Sequence, residues 1–208
     1  MTTTTFSIAA SADDQGLTRY GTGWPPVDGP DRNSVDTALK VENIYGTATS
    51  TNYRTQALLS FNTASIPDTD VVTAATLRGY VIFLNVVYDP SLRGDWYAWD
   101  GTSASDFSNG DLDNNAVSGK ALSTFVLNAD NDIALSNPTN VSKTGLTKLR
   151  LGLPIGPIPP TNNTGPHVHF ASFDHTTITE ARLIVVHGPP DTTPPAAPTG
   201  LAATVVAP

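Results

Sequence analysis

The stretch Arg54-Thr-Gln-Ala-Leu-Leu-Ser-Phe-Asn-Thr-Ala-Ser-Ile-Pro-Asp-Thr-Asp-Val-Val-Thr-Ala-Ala-Thr-Leu-Arg-Gly-Tyr-Val-Ile-Phe83 decides the fold. Leu58, Ser60 and Asn62 alternate with Leu59 and Phe61, a period of two. Ile66-Pro67-Asp68 interrupts the run, and a second apolar, β-branched segment runs from Val71 to Val87. Alternating runs punctuated by Pro and Asp are the mark of half-buried antiparallel strands joined by tight turns. No candidate catalytic group stands inside the stretch.

Working outward, the same reading predicts strands at Phe6–Ala12, Ala38–Tyr45, Thr55–Phe61 and Thr76–Val87. It continues with a short aromatic strand Asp95–Asp100, then Ser123–Leu127, Thr147–Leu153, His167–Phe173 and Ala181–His187, with a weaker signal at Asp132–Leu135. Loops are expected over Asp13–Asp36, Asp106–Gly119 and the Pro-rich Pro154–Pro166, and a short helical turn within Pro138–Lys143. Many short strands with frequent turn signals and no convincing helix predict an all-β chain: an antiparallel β-sandwich of jelly-roll type. After His187 the composition shifts to Pro-rich sequence, which cannot join a central strand and reads as an extended, stiff tail. The boundaries expected are 1–187 for the sandwich and 188–208 for the linker and tail.

The 208 residues suffice for one sizeable core, and 39% of them are hydrophobic. Only 14% are charged, and Thr, Asn, Ser, Gly and Pro fill the gap, a mixture suited to sheets and turns. The net charge of −8 comes with scattered basic residues, so nucleic acid, which needs a basic patch, is excluded as a partner. No run approaches the ~18 apolar residues of a membrane span, so no membrane insertion is expected. The absence of Cys excludes disulfides and thiolate chemistry. The N-terminus lacks the basic and apolar regions of a signal peptide.

Three clusters carry candidate chemistry. Trp96, Tyr97 and Trp99 are candidates for a carbohydrate platform, because aromatic rings stack on sugar rings. On a strand, Tyr97 would share a face with Trp99 and oppose Trp96; the plainer alternative is core on one side and a surface brace on the other. Asp111, Asp113 and Asn115 gather hard oxygens of the kind calcium takes, as does Asn128–Asp132, although Asp and Asn also populate turns for local reasons. A structural calcium ion is the one cofactor considered. His167 and His169 share a strand face with His175 nearby, but a third metal ligand at a definite spacing is missing. Arg93-Gly94-Asp95 is an integrin-type tripeptide, common by chance. No nucleophile elbow, phosphate loop or dinucleotide fingerprint is present, and no enzyme is expected.

Two segments, Leu58–Val81 and Val168–His187, with Gly145–Leu151 between them, together resemble the DNRLRE-type jelly roll, a family related to certain bacterial carbohydrate-binding modules. Asp191–Thr204 resembles the linker and first strand of a fibronectin type III domain. Such jelly rolls occur in minor tail proteins of phages infecting actinobacteria and in secreted bacterial proteins. The resemblance therefore implies a structural virion protein, a minor tail or tail-tip component located in the virion. Its partners would be other virion subunits in a homo-oligomer, and a host-surface glycan. The alternative is an extracellular carbohydrate-binding module of a secreted polysaccharide-active or cell-surface protein.

Overall fold

The alternation around Leu58 belongs to a twelve-residue strand that pairs along both edges and anchors half the molecule. The computed structural model describes residues 1–33, 36–156 and 165–192. In chain order the strands are β1 (Thr2–Ser7), β2 (Asp14–Gly21), β3 (Asp28–Asn33), β4 (Ala38–Gly46), β5 (Thr51–Asn62) and β6 (Val71–Asn85). They continue with β7 (Ser91–Trp96), β8 (Val117–Ala121), β9 (Ala129–Leu135), β10 (Leu146–Gly152), β11 (His167–Ala171) and β12 (Arg182–Gly188). Among the described residues the only helical elements are single 3-10 turns, one of them at Pro138–Asn140, inside the span where a short turn is expected.

Every ladder among the described residues is antiparallel. On one edge β5 pairs with β4 and then β10; on the other it pairs with β2, which carries β3. The fifteen-residue β6 repeats the plan, with β12 and then β11 on one edge and β9 on the other. The β11–β4 ladder joins the two halves, and β7 and β8 extend beyond β10. The sheet therefore curls on itself, an all-β, jelly-roll-like sandwich. Ala57, Leu59 and Phe61 from β5 join Val72, Leu77 and Val81 from β6, and Val168, Phe170 and Leu183 from β11 and β12, in one core. This is the packing that period-two strands dictate when one face of each half is buried.

Several expected boundaries move. The first strand is Thr2–Ser7 rather than Phe6–Ala12, because β12 supplies pairing partners only as far as Ser7↔Arg182. The expected Asp13–Asp36 loop contains β2 and β3. Free backbone along β5 recruits β2, and its only fully apolar anchor is Leu17, so no alternation announces it. The aromatic strand is Ser91–Trp96: its ladder with β10 ends at Trp96↔Leu149, and the chain then leaves the sheet. β8 occupies the end of the expected Asp106–Gly119 loop. Ser123–Leu127 is no strand. The Asp89 carboxylate accepts both the N–H and the hydroxyl of Ser123 (2.8 and 2.6 Å), and the Asn131 side chain brackets the backbone of Val126. These local bonds turn the chain after a 3-10 turn at Leu122–Thr124. Residues 157–164 of the Pro-rich loop and residues 193–208, which hold all but the first two residues of the fibronectin-like segment, lie outside the described residues.

Candidate binding surfaces

β5 is buried on both faces, and what covers its outer face explains most of the candidate residues. Ala57, Leu59 and Phe61 enter the main core, whereas Arg54, Gln56 and Leu58 point the other way. The chain that leaves β7 crosses this outer face. Trp99 and Phe107 join Leu17 and Leu58 in a second small core, with Tyr97 against it. Three cations from the sheet pin the crossing. Arg54, 1% exposed, donates to the carbonyls of Ser108 and Gly110, each at 2.9 Å. Arg150 donates to the Asp106 carbonyl and the Asp95 carboxylate, both at 3.0 Å, with its guanidinium 3.9 Å from the Tyr97 ring centre. Lys148 donates to the Trp99 carbonyl at 2.6 Å and lies 4.6 Å from the centre of its ring. Burial, with the like charge of Arg150, lowers Arg54 to about 10, so it stays charged at neutral pH.

The three aromatic candidates are therefore split. Trp99 is buried, and its indole N–H donates to the Leu59 carbonyl at 3.2 Å. Tyr97 is half-buried and donates to the Ser105 carbonyl at 3.0 Å. Trp96 packs on the main core, and its indole N–H is taken by the Ser136 carbonyl at 2.9 Å. The grouping expected from alternation, Tyr97 with Trp99 and Trp96 apart, is observed, but off the strand and as a brace. An open groove of about 330 Å³ remains beside Trp96 and Tyr97, lined also by Asn140, Thr147 and Lys148. Its indole and its ammonium already serve internal carbonyls.

Asp111 pairs with Arg93 at 3.2 Å, and its other oxygen accepts the Ile155 N–H at 2.6 Å. Asn115 Oδ1 accepts the Trp96 N–H at 2.7 Å, and Asp113 is exposed. In the second Asp/Asn segment, Asp130 pairs with Arg182 and Asp132 with Arg78. Among the described residues no group of three or more His, Cys, Asp or Glu side chains is placed to hold a metal ion. The Arg93-Gly94-Asp95 tripeptide is not presented: Asp95 is buried against Arg150, and a Cβ on Gly94 would meet Leu151 and Val117 side chains at 2.9 Å.

His167 and His169 do stand together, ring centres 4.8 Å apart, and His169 is 2.8 Å from the buried Glu42 carboxylate, which also accepts from Thr55. Burial opposes the charge of Glu42, but the hydrogen bond and charge of His169 prevail and hold its carboxyl below the usual range. His167 is pushed down by burial and by His169. His175 lies in the β11–β12 connection, its Nδ1 accepting the Ile178 N–H at 3.2 Å. A further histidine, which no sequence motif marks, links Asp70 (2.7 Å from Nδ1) to Thr4 (2.9 Å from Nε2): His187. Hydroxyl, imidazole and carboxylate in line also describe a nucleophilic triad. Here they join β1, β12 and the β5–β6 turn, and the arrangement is a clasp between segments far apart in the chain.

Neither a protein-family model nor a curated protein sequence matches the chain.

Proposed function

We propose that the chain is a structural phage virion protein, a minor tail or tail-tip component whose β-sandwich mediates assembly and host-surface attachment. The observation that carries this reading is an apolar end on an otherwise braced body. Phe83 and Tyr88 are each 58% exposed, and Val126 and Leu127 are 60% and 47% exposed. The Asn128 N–H bonds to the Val81 carbonyl at 2.8 Å, which sets Val126 and Leu127 alongside the end of β6 that bears Phe83. Large exposed apolar side chains gathered near one end of a body are a surface of the kind that marks protein contacts, and the virion context comes from the DNRLRE resemblance. The braced outer face of β5 supports a module that works by shape: it spends its buried cations and aromatics on rigidity.

Two measurements test this. Light scattering of the purified chain should show concentration-dependent self-association that Phe83→Asp and Leu127→Asp each abolish without unfolding. Peptides of the chain should appear in mass spectra of purified particles from the phage that encodes it. Absence from particles, or turnover of any polymer by the purified chain, sinks the proposal. The second reading, a carbohydrate-binding module, is favoured by a groove at Tyr80, also on β6.

A further inference from the structure

The outer face of β6 has a gap. On one edge β12 begins pairing at Arg182↔Arg78, and β11 stops at Phe170↔Val81. Gly79 and Tyr80 lie between, without a strand partner on that side among the described residues. The connection from β11 to β12 passes there, and with Tyr80, Asp130 and Arg182 it encloses an open groove of about 370 Å³, lined also by Thr177, Ile178 and Thr179. That volume lies within the usual range of ligand sites, roughly 300–1,000 Å³.

We infer that this groove binds a neutral saccharide, with Tyr80 as the stacking ring and Asp130, Arg182, Thr177 and Thr179 as hydroxyl partners. This rests on the carbohydrate-binding reading. The charge count selects the ligand class. Arg182 pairs with Asp130 at 2.8 Å, and neighbouring Arg78 pairs with Asp132 at 2.5 Å, so two cations meet two anions and leave no net attraction for an anion. A carboxylate beside a guanidinium offers acceptor and donor together, which is what adjacent sugar hydroxyls require. The Arg182 side chain lines the groove and is 24% exposed, and a guanidinium carries more N–H donors than its one bond to Asp130 uses. Tyr80, half-buried in the strand, supplies the apolar face.

The test is a glycan array carrying neutral gluco-, manno-, galacto- and arabino-oligosaccharides and N-acetylglucosamine oligomers, with sulfated oligosaccharides as the anionic arm. The folded chain should retain at least one neutral oligosaccharide. Tyr80→Ala should weaken that binding by about tenfold or more. The exposed double variant Asp130→Ala/Thr177→Ala should weaken it too, and Asn140→Ala in the other groove should leave it unchanged. Near-UV circular dichroism checks that each variant keeps its fold. Retention unaffected by both groove variants, or by sulfated sugars alone, overturns the assignment of this site while leaving glycan binding standing. No retention of any sugar overturns both.

Discussion

Asp14 is the residue whose surroundings conflict most with its charge. It is buried, Oδ2 accepts the Phe173 N–H at 2.7 Å, and Oδ1 has no partner among the described residues. Burial foremost, opposed by the Phe173 bond and reinforced by Asp174, Asp13 and Glu180, pushes it from 3.8 to about 7. Between those two values the folded chain holds a proton that the unfolded chain has released. Stability therefore falls as pH rises through that window, by on the order of 2–4 kcal/mol. Glu42 has the opposite sign: its carboxyl is held low, so its contribution is present above the ordinary glutamate range and is lost on acidification. Asp14→Asn should match the native chain in thermal melts near pH 4 and exceed it increasingly up to pH 8. A constant difference across that range refutes the assignment. Arg150 is the converse case, a buried cation whose removal strands Asp95, 3% exposed, without its counter-charge. Arg150→Ala should cost about 3–5 kcal/mol in urea unfolding, and a loss under about 1 kcal/mol, the level of a surface pair, contradicts the brace.

At the scale of elements, the sandwich depends on close approaches that only glycine permits. A Cβ on Gly79 would lie 2.7 Å from Phe170 Cδ1, and Phe170 is itself wedged edge-on against Phe125 at 6.0 Å. Gly79→Ala should destabilise the chain by about 1–3 kcal/mol through overpacking. Adding Phe170→Leu should recover part of that loss; strictly additive penalties in the double-mutant cycle exclude the contact as the cause. The crossing over β5 behaves as one element, because Trp99, Phe107 and Tyr97 pack as a unit over Leu17 and Leu58. Trp99→Ala should cost about 3–5 kcal/mol and expose the crossing to proteolysis near Ser108, whose backbone is held by Arg54 and Gln56. Cleavage confined to other loops in that variant counts against a cooperative crossing.

For the whole molecule, the curl leaves β1, β3, β8 and β9 with a single strand partner each among the described residues, while β5 and β6 pair on both edges. Amide hydrogen exchange should accordingly be slowest in β5 and β6 and fastest in β3, whose residues are mostly exposed. Uniform protection across the described strands contradicts that hierarchy. The curl nearly closes: Ser136 N–H bonds to the Ala116 carbonyl at 2.8 Å, joining the end of β9 to the start of β8. The net charge of −8 is spread over this body, so association through the Phe83 end is expected to strengthen as salt screens self-repulsion.

The strand pattern was legible because it is local. Leu58, Leu59 and Phe61, or Leu149 and Leu151, announce a half-buried strand whatever they pair with, and the Ile66-Pro67-Asp68 break announces the turn. The second face of β5 was not legible. Arg150 stands between Leu149 and Leu151, a signal in hindsight, but what Arg54 and Arg150 hold is set by a crossing chain 44–56 residues away. The same distance hides β2, which pairs for want of any other partner along β5, and the roles of Trp96 and Trp99, which depend on where the β10 ladder ends. The groove at Tyr80 arises from a gap between β11 and β12 that no run of residues encodes. Local periodicity chooses between strand and helix, because side-chain direction repeats within two residues. Long-range pairing chooses which polar groups are buried and which are left facing solvent, because that depends on contacts between segments distant in the chain.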